Sequence, residues 1–247
     1  MALNRKQKMN IPSTEEVFTN IYKSNGWKHK ESLHQPFYSG PGSYGCNADK
    51  YVELISDYIK QHNIKSVTDI GCGDYVNREQ LSEHIEPVHF LAKDLSLPFD
   101  VGRKFDVVIS LEVAEHLPES TAAEFVDSLV KHGDIIIFSA AIPSQGGQNH
   151  LNEQWKKYWI DLFARHQYSV YDLIRPRIWD MQEVDYWYKQ NMIVFGKFDL
   201  LHLKPSNTSI LEAVHPEMFA AKLEWLSNYI NQLHEQNLHL ENKIGNE

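Results

Sequence analysis

The stretch "SVTDIGCGDY", Ser66–Tyr75, ends a β-branched run in a carboxylate, turns through Gly71 and Gly73, and then presents a second acid, Asp74. A glycine-rich turn after a strand lets the backbone approach a nucleotide closely. The dinucleotide fingerprint needs a further glycine three residues on, where this chain has Val76. Asp69 and Asp74 flank the turn, and carboxylates there repel a pyrophosphate. They tolerate a cationic ligand that carries no phosphate.

S-adenosylmethionine is such a ligand, with a ribose, an α-ammonium and a sulfonium. A second segment, "KFDVVISLEVAEHLPES" (Lys104–Ser120), follows downstream. With these two segments the sequence resembles the class I S-adenosylmethionine-dependent methyltransferases, over roughly residues 64 to 198. The resemblance implies S-adenosylmethionine as cofactor. It places Asp69, Gly71 and Gly73 around the methionine part, and Leu111 and Glu112 beside the sulfonium and adenosine. His116 follows on the adjoining turn, as a site residue or a surface histidine at a helix end. The later segments "SAAIPSQGGQNHLNEQWKKYWIDLF", "IRPRIW" and "WYKQNMIVF" resemble methyltransferases found among surface-glycan biosynthesis genes. They imply a sugar or other small acceptor, methylated at oxygen.

The hydrophobic pattern supports an α/β fold. "FDVVISL" and "DIIIFSA" are nearly all apolar, as in strands buried on both faces of a parallel sheet. "NREQLSEHI" reads as a helix and "VHFLAKD" as a strand. Thr121 and Glu124 form a capping box that opens a helix through "AAEFVDSLVKH" and stops at Gly133. Trp155, Trp159, Leu162 and Phe163 recur at helical spacing, and "YSVYDLI" and "NMIVFGKF" read as two final strands. Alternating strands and helices predict a Rossmann-like, open, mostly parallel sheet with helices on both faces. Only Val76 to Lys104 separate the glycine turn from the "FDVVISL" strand, so one strand–helix unit of the family is abbreviated. Asp94 is then either the family's ribose-binding acid or a turn residue in "DLSLPFD".

Three segments are expected: an N-terminal helical extension and lid-like loop over 1–63, the cofactor-binding domain over 64–207, and a C-terminal helix over 208–247. Ser13 and Glu16 form a capping box in the first, and Phe37, Tyr38 and Tyr44 flank a "SGPGS" loop that would cover the cofactor or simply pack on the surface. In the last, Leu223, Leu226, Ile230, Leu233, Leu240 and Ile244 follow an a/d heptad with Asn237 at the remaining a position. A polar Asn at one a position fixes register in coiled coils. One reading pairs two chains through this helix as a homodimer; the other folds an amphipathic helix back on its own domain.

Methyl transfer to a hydroxyl needs alignment, exclusion of water and removal of a proton. In open parallel sheets ligands bind beyond the carboxyl ends of the strands. The loop after "DIIIFSA" lies on that edge and offers His150 as a base, with Glu153 three residues on to orient it. The alternative makes His150 and Asn152 helix-capping or loop residues. Trp179 and Tyr188 are candidates to line the acceptor pocket, whereas Trp155 and Trp159 suit the core.

The net charge of −9, with dispersed Lys and Arg, argues against a nucleic-acid partner. Two cysteines give no disulfide framework, and the 13 histidines show no metal-ligand spacing, so no metal is expected; a metal held by His150 and Glu153 with Asp180 is the minor alternative. No long apolar run or leader-like N-terminus is present, which predicts a cytoplasmic protein without a membrane span. A catalytically degenerate module that assembles partners through its C-terminal helix is the alternative reading. A nicotinamide-dependent oxidoreductase is disfavoured by Val76 and the acids around the turn.

Overall fold

The computed structural model describes residues 46–61, 63–71, 91–197, 203–208 and 211–244. The Ser13–Glu16 capping box, the "SGPGS" loop, Gly73 and the "NREQLSEHI" segment lie outside them.

Among the described residues five strands form one sheet: β1 (Val67–Asp69), β2 (Val107–Leu111), β3 (Ile135–Ser139), β4 (Tyr168–Tyr171) and β5 (Ile193–Lys197), in the order β1-β2-β3-β5-β4. β1, β2 and β3 run parallel, with Asp69 opposite Ile109 and Leu111 opposite Ser139. β5 is inserted between β3 and β4 and is antiparallel to both. The helices are α1 (Cys46–Gln61), α2 (Ala122–His132), α3 (Lys156–Ala164), α4 (Arg175–Ile178), α5 (Tyr186–Asn191) and α6 (Pro216–Ile244).

Side chains on successive strand residues point to opposite faces, and both faces are apolar. Val108, Ile136, Phe138, Ile193 and Phe195 join one core with Phe125, Val126 and Leu129 of α2 and Trp159, Leu162 and Phe163 of α3. Val107, Ile109, Ile137 and Val194 join the other with Ile55 and Ile59 of α1, Ile178 of α4 and Tyr188 of α5. This double burial is why the strands read as continuous hydrophobic runs. Tyr188, expected at a pocket, is buried in this second core. Its helical neighbours carry it inward.

Two local expectations are corrected. The described part of "VHFLAKD", residues 91–94, is in no strand: Leu91 is 59% exposed and the chain runs straight into a turn. The Thr121–Glu124 capping box does not form, because the Thr121 hydroxyl donates to the Pro118 carbonyl (2.9 Å) and closes the preceding 3₁₀ turn instead.

Arg175 secures the far edge. It makes a two-pronged pair with Asp172 (2.9 and 2.7 Å) and donates to the carbonyls of Gln190 and Leu211. The first turn of α6 docks through buried Met218 and the Lys189–Glu217 ion pair (2.9 Å). Beyond it the apolar stripe is open, with Leu223 50%, Ile230 55% and Leu233 41% exposed. Among the described residues, nothing buries its heptad face. None of the described helices is long and apolar enough to cross a membrane.

Phe138, 1% exposed, meets the rings of Trp159, Phe163 and Phe195 at 5.3 to 6.0 Å. Phe138→Ala is expected to cost about 3–5 kcal/mol of stability through the lost burial and the cavity left behind, read as a lower urea midpoint.

Candidate active site

The parallel strands deliver their carboxyl ends to one edge, and the chain there is shaped by close approaches. Gly71 follows β1 with φ +96°, and a Cβ at this position would collide with the Val113 side chain. Only glycine lets the turn after β1 close onto the turn after β2. Asp69, partly buried, ends β1 at this edge, and Leu111 ends β2.

Glu112 leaves β2 with φ +52°, a conformation uncommon for a non-glycine residue. Its N–H donates to both the carbonyl (3.1 Å) and the hydroxyl (3.0 Å) of Ser139 at the end of β3. Its carboxylate accepts from Gln145 Nε2 (3.0 Å) and Asn191 Nδ2 (3.2 Å). Asn191 also donates to Gln145 Oε1 (2.8 Å), as does Gln190 (3.2 Å). The network ends just before α6, where the His215 N–H donates to Gln190 Oε1 (2.9 Å). The sequence reading singled out Glu112 but missed Gln145, Gln190 and Asn191. Amides carry no charge and no spacing signature, so only their convergence in space reveals them.

The next turn, Ala114–His116, brings a second acid and the first histidine. Its Glu115 carbonyl accepts from the N–H groups of Leu151 (2.7 Å) and Asn152 (2.9 Å), clasping the loop after β3. That clasp sets His150 against His116, with ring centroids 4.8 Å apart and edge-to-face. His116 Nδ1 donates to the Asn149 carbonyl (3.2 Å), and His150 Nδ1 donates to Glu153 (2.8 Å). Glu153 also accepts from the N–H groups of Ser144 (2.8 Å) and Gly146 (2.6 Å), so one carboxylate pins the loop and turns the ring. Gly147 lies under His150, where any side chain would overlap the imidazole. Ser144 and Asn149 join Glu112 among the residues at positive φ, so strain gathers in these loops.

Burial sets the electrostatics. Burial first, then the neighbouring His150, lowers the pKa of His116 to about 4. Burial and the Glu112 charge push the Glu115 carboxyl well above the usual range. Burial and the Arg175 charge bring Lys156 down to about 8. Neither Glu115 nor Lys156 was singled out in the sequence, although Glu115 stands three residues after Glu112 in a segment that drew attention.

Asp94 lies elsewhere in character. It is exposed, and its carboxylate accepts from the N–H (2.9 Å) and hydroxyl (2.6 Å) of Ser96, as a turn residue does. Trp155 is 43% exposed at the start of α3, whereas Trp159 is in the core. Trp179 packs on the His215 ring at 4.6 Å.

No protein-family model matches the sequence, and no curated protein is significantly similar to it. Solved structures do resemble it. The magnesium protoporphyrin IX methyltransferase of Synechocystis PCC 6803, with bound SAM, aligns with TM-score 0.50 and 14% identity over 77% of this chain and 99% of its own. The chain has the class I methyltransferase fold. An O-methyltransferase family protein from Burkholderia thailandensis aligns at TM-score 0.43 and 12% identity, covering 61% of this chain and 55% of its own. The methyltransferase domain of a bacterial Hen1 aligns at 0.42 and 16%, covering 61% and 98%.

Within this methyltransferase fold the His116 titration is directly testable. A buried imidazole whose pKa falls from 6.5 to about 4 favours the neutral form in the folded state. Its contribution to stability is present above about pH 6.5 and is lost as pH falls toward about 4, by up to about 3 kcal/mol. Histidine NMR titration of the metal-free protein should show one ring still neutral at pH 5, its resonance absent from spectra of His116→Gln.

Proposed function

We propose that this chain is an S-adenosylmethionine-dependent methyltransferase that methylates a hydroxyl group on a sugar or other small component of a surface glycan. The observation that carries the reading is the Gly71–Val113 closure, which brings the end of β1, where Asp69 stands, against the turn after β2 that carries Glu112. Asp69, Gly71 and Gly73 hold the methionine portion of the cofactor in this proposal, and Leu111 and Glu112 lie along the sulfonium and adenosine. The cytoplasm is the proposed location.

The reaction is an in-line displacement. The acceptor oxygen forms a bond to the methyl carbon as the carbon–sulfur bond breaks with its electrons passing to sulfur. The hydroxyl proton leaves to a base or to water. His116 and His150, with Glu153 fixing His150, are the groups proposed to activate that hydroxyl. The carbohydrate acceptor is supported by the resemblance of "SAAIPSQGGQNHLNEQW" and "IRPRIW" to glycan-cluster methyltransferases. Calorimetry with S-adenosylmethionine and S-adenosylhomocysteine should give binding with one site per chain. Asp69→Ala should weaken it on the order of 10- to 100-fold, the loss of a hydrogen bond to a charged group. Absence of heat from folded protein would refute the enzyme reading. Transfer of labelled methyl to free sugars and sugar nucleotides tests the acceptor.

A second reading is favoured by the open stripe on α6, where Leu223, Leu226, Ile230 and Leu233 are all exposed. Here the helix pairs with a second copy as a parallel coiled coil and assembles the protein, with or without catalysis. Light scattering should give twice the chain mass, falling to one with Leu226→Lys plus Ile230→Lys. A monomeric wild-type protein would rule this reading out.

A further inference from the structure

One ligand atom from each of Glu115, His116 and His150 falls within 4.8 Å of the others. Two imidazoles and a carboxylate at that separation can close on a single cation. We propose that these three residues bind a divalent first-row transition-metal ion, which holds the acceptor hydroxyl for methylation; the binding stands by itself, and only the role in methylation rests on the proposed function.

Two independent observations point to a ligand there. The first is Glu115 itself. It is fully buried, and neither carboxylate oxygen reaches full hydrogen-bond geometry with a described residue, although the Glu112 carboxyl and the Ala141 N–H lie near it. Buried polar groups are nearly always paired, and a second carboxylate, Glu112, adjoins it. A cation answers both acids at once. The second is the orientation of the histidines. Each donates its Nδ1–H, His116 to a backbone carbonyl and His150 to the Glu153 carboxylate. Each therefore keeps its lone pair on Nε2. Metal-ligating histidines show this arrangement, with the other ring nitrogen held by a carbonyl or carboxylate that fixes the tautomer. The clasp of Leu151 and Asn152 onto the Glu115 carbonyl, with Gly147 beneath the His150 ring, places all three ligands before any metal arrives.

The donor set selects the ion. Two imidazole nitrogens and one carboxylate suit Mn²⁺ through Zn²⁺ better than Mg²⁺ or Ca²⁺, which prefer all-oxygen sites. Three protein ligands leave positions open, as catalytic metals require. An acceptor hydroxyl bound there is acidified, so its proton passes to water as the oxygen attacks the methyl carbon.

The test uses the full chain, stripped with chelator and titrated with Co²⁺ and Mn²⁺, read by calorimetry, the visible Co²⁺ spectrum and Mn²⁺ paramagnetic resonance. One equivalent is expected to bind, and Mg²⁺ in excess is expected not to displace it. Glu115→Gln, close in shape, and His150→Gln should each lose at least about 100-fold in affinity, and Glu153→Gln about 10- to 100-fold. His239→Gln, on the exposed helix, should change nothing and controls for casual histidine binding. Circular dichroism confirms that each variant is folded. No stoichiometric binding, or binding that survives Glu115→Gln and His150→Gln in folded protein, overturns the proposal. S-adenosylmethionine titrated into the stripped protein separates the two ideas. Cofactor binding without metal binding sinks the metal site alone, and metal binding without cofactor binding sinks the methyltransferase reading alone.

Discussion

Where β2 ends, Glu112 takes a left-handed backbone turn and is held from three directions. Its N–H is bound by Ser139 of β3, and its carboxylate by Gln145 of the following loop and Asn191 of α5. These bonds join two parallel strands, the loop beyond them and the helix that leads into β5. A non-glycine residue at positive φ is costly unless its surroundings fix it, and here they do. The consequence is geometric. The chain is redirected sharply enough for Ala114–His116 to turn back over the sheet edge, and for the β3 loop to be clasped to it. Without the Glu112 turn, His116 and His150 would have no reason to meet.

The edge so formed is unusual in what it buries. Glu115 and Lys156, and in large part His116, are ionisable side chains drawn into an interior that otherwise holds Phe125, Phe138 and Trp159. Burial alone moves each away from its charged form, and the pairing of Glu115 with Glu112 adds to that. Structural ion pairs are present as well, but they sit apart: Arg175 with Asp172 and Lys189 with Glu217 lock α4, α5 and the start of α6. Among the described residues, the Glu115 carboxylate oxygens and Lys156 Nζ have no direct hydrogen-bond partner of that kind, and shifted groups of this sort gather at functional sites.

The last helix follows a different logic. Its first turn is committed to the domain through Met218 and Glu217, and the rest extends with large apolar side chains in water. Trp225 and Tyr229 stack on each other at 5.5 Å, one turn apart, beside the heptad stripe. Exposed apolar surface on this scale marks interaction surfaces in soluble proteins. The same heptad that reads as a coiled-coil seam is left uncovered by the described domain.

The sequence by itself determined the strands, because a segment buried on both faces must be nearly all apolar, and "FDVVISL", "DIIIFSA" and "NMIVF" are. It also determined the glycine turn, since Gly71 is required by both φ and the nearness of Val113. The residue types around the edge were legible as well: Asp69, Glu112, His116, His150 and Glu153 were all singled out. Tertiary structure alone decided what meets what. The antiparallel insertion of β5 between β3 and β4 leaves no local signal, because pairing partners are set by packing and not by strand composition. Thr121 read as a cap and became part of a turn, as a hydroxyl takes whichever carbonyl or N–H lies nearest. Glu115, Gln145 and Asn191 gained their meaning only from burial and convergence. Spacing along a chain records neighbours on one helix or strand; it does not record a loop 34 residues away folding a second imidazole against the first, from His116 to His150.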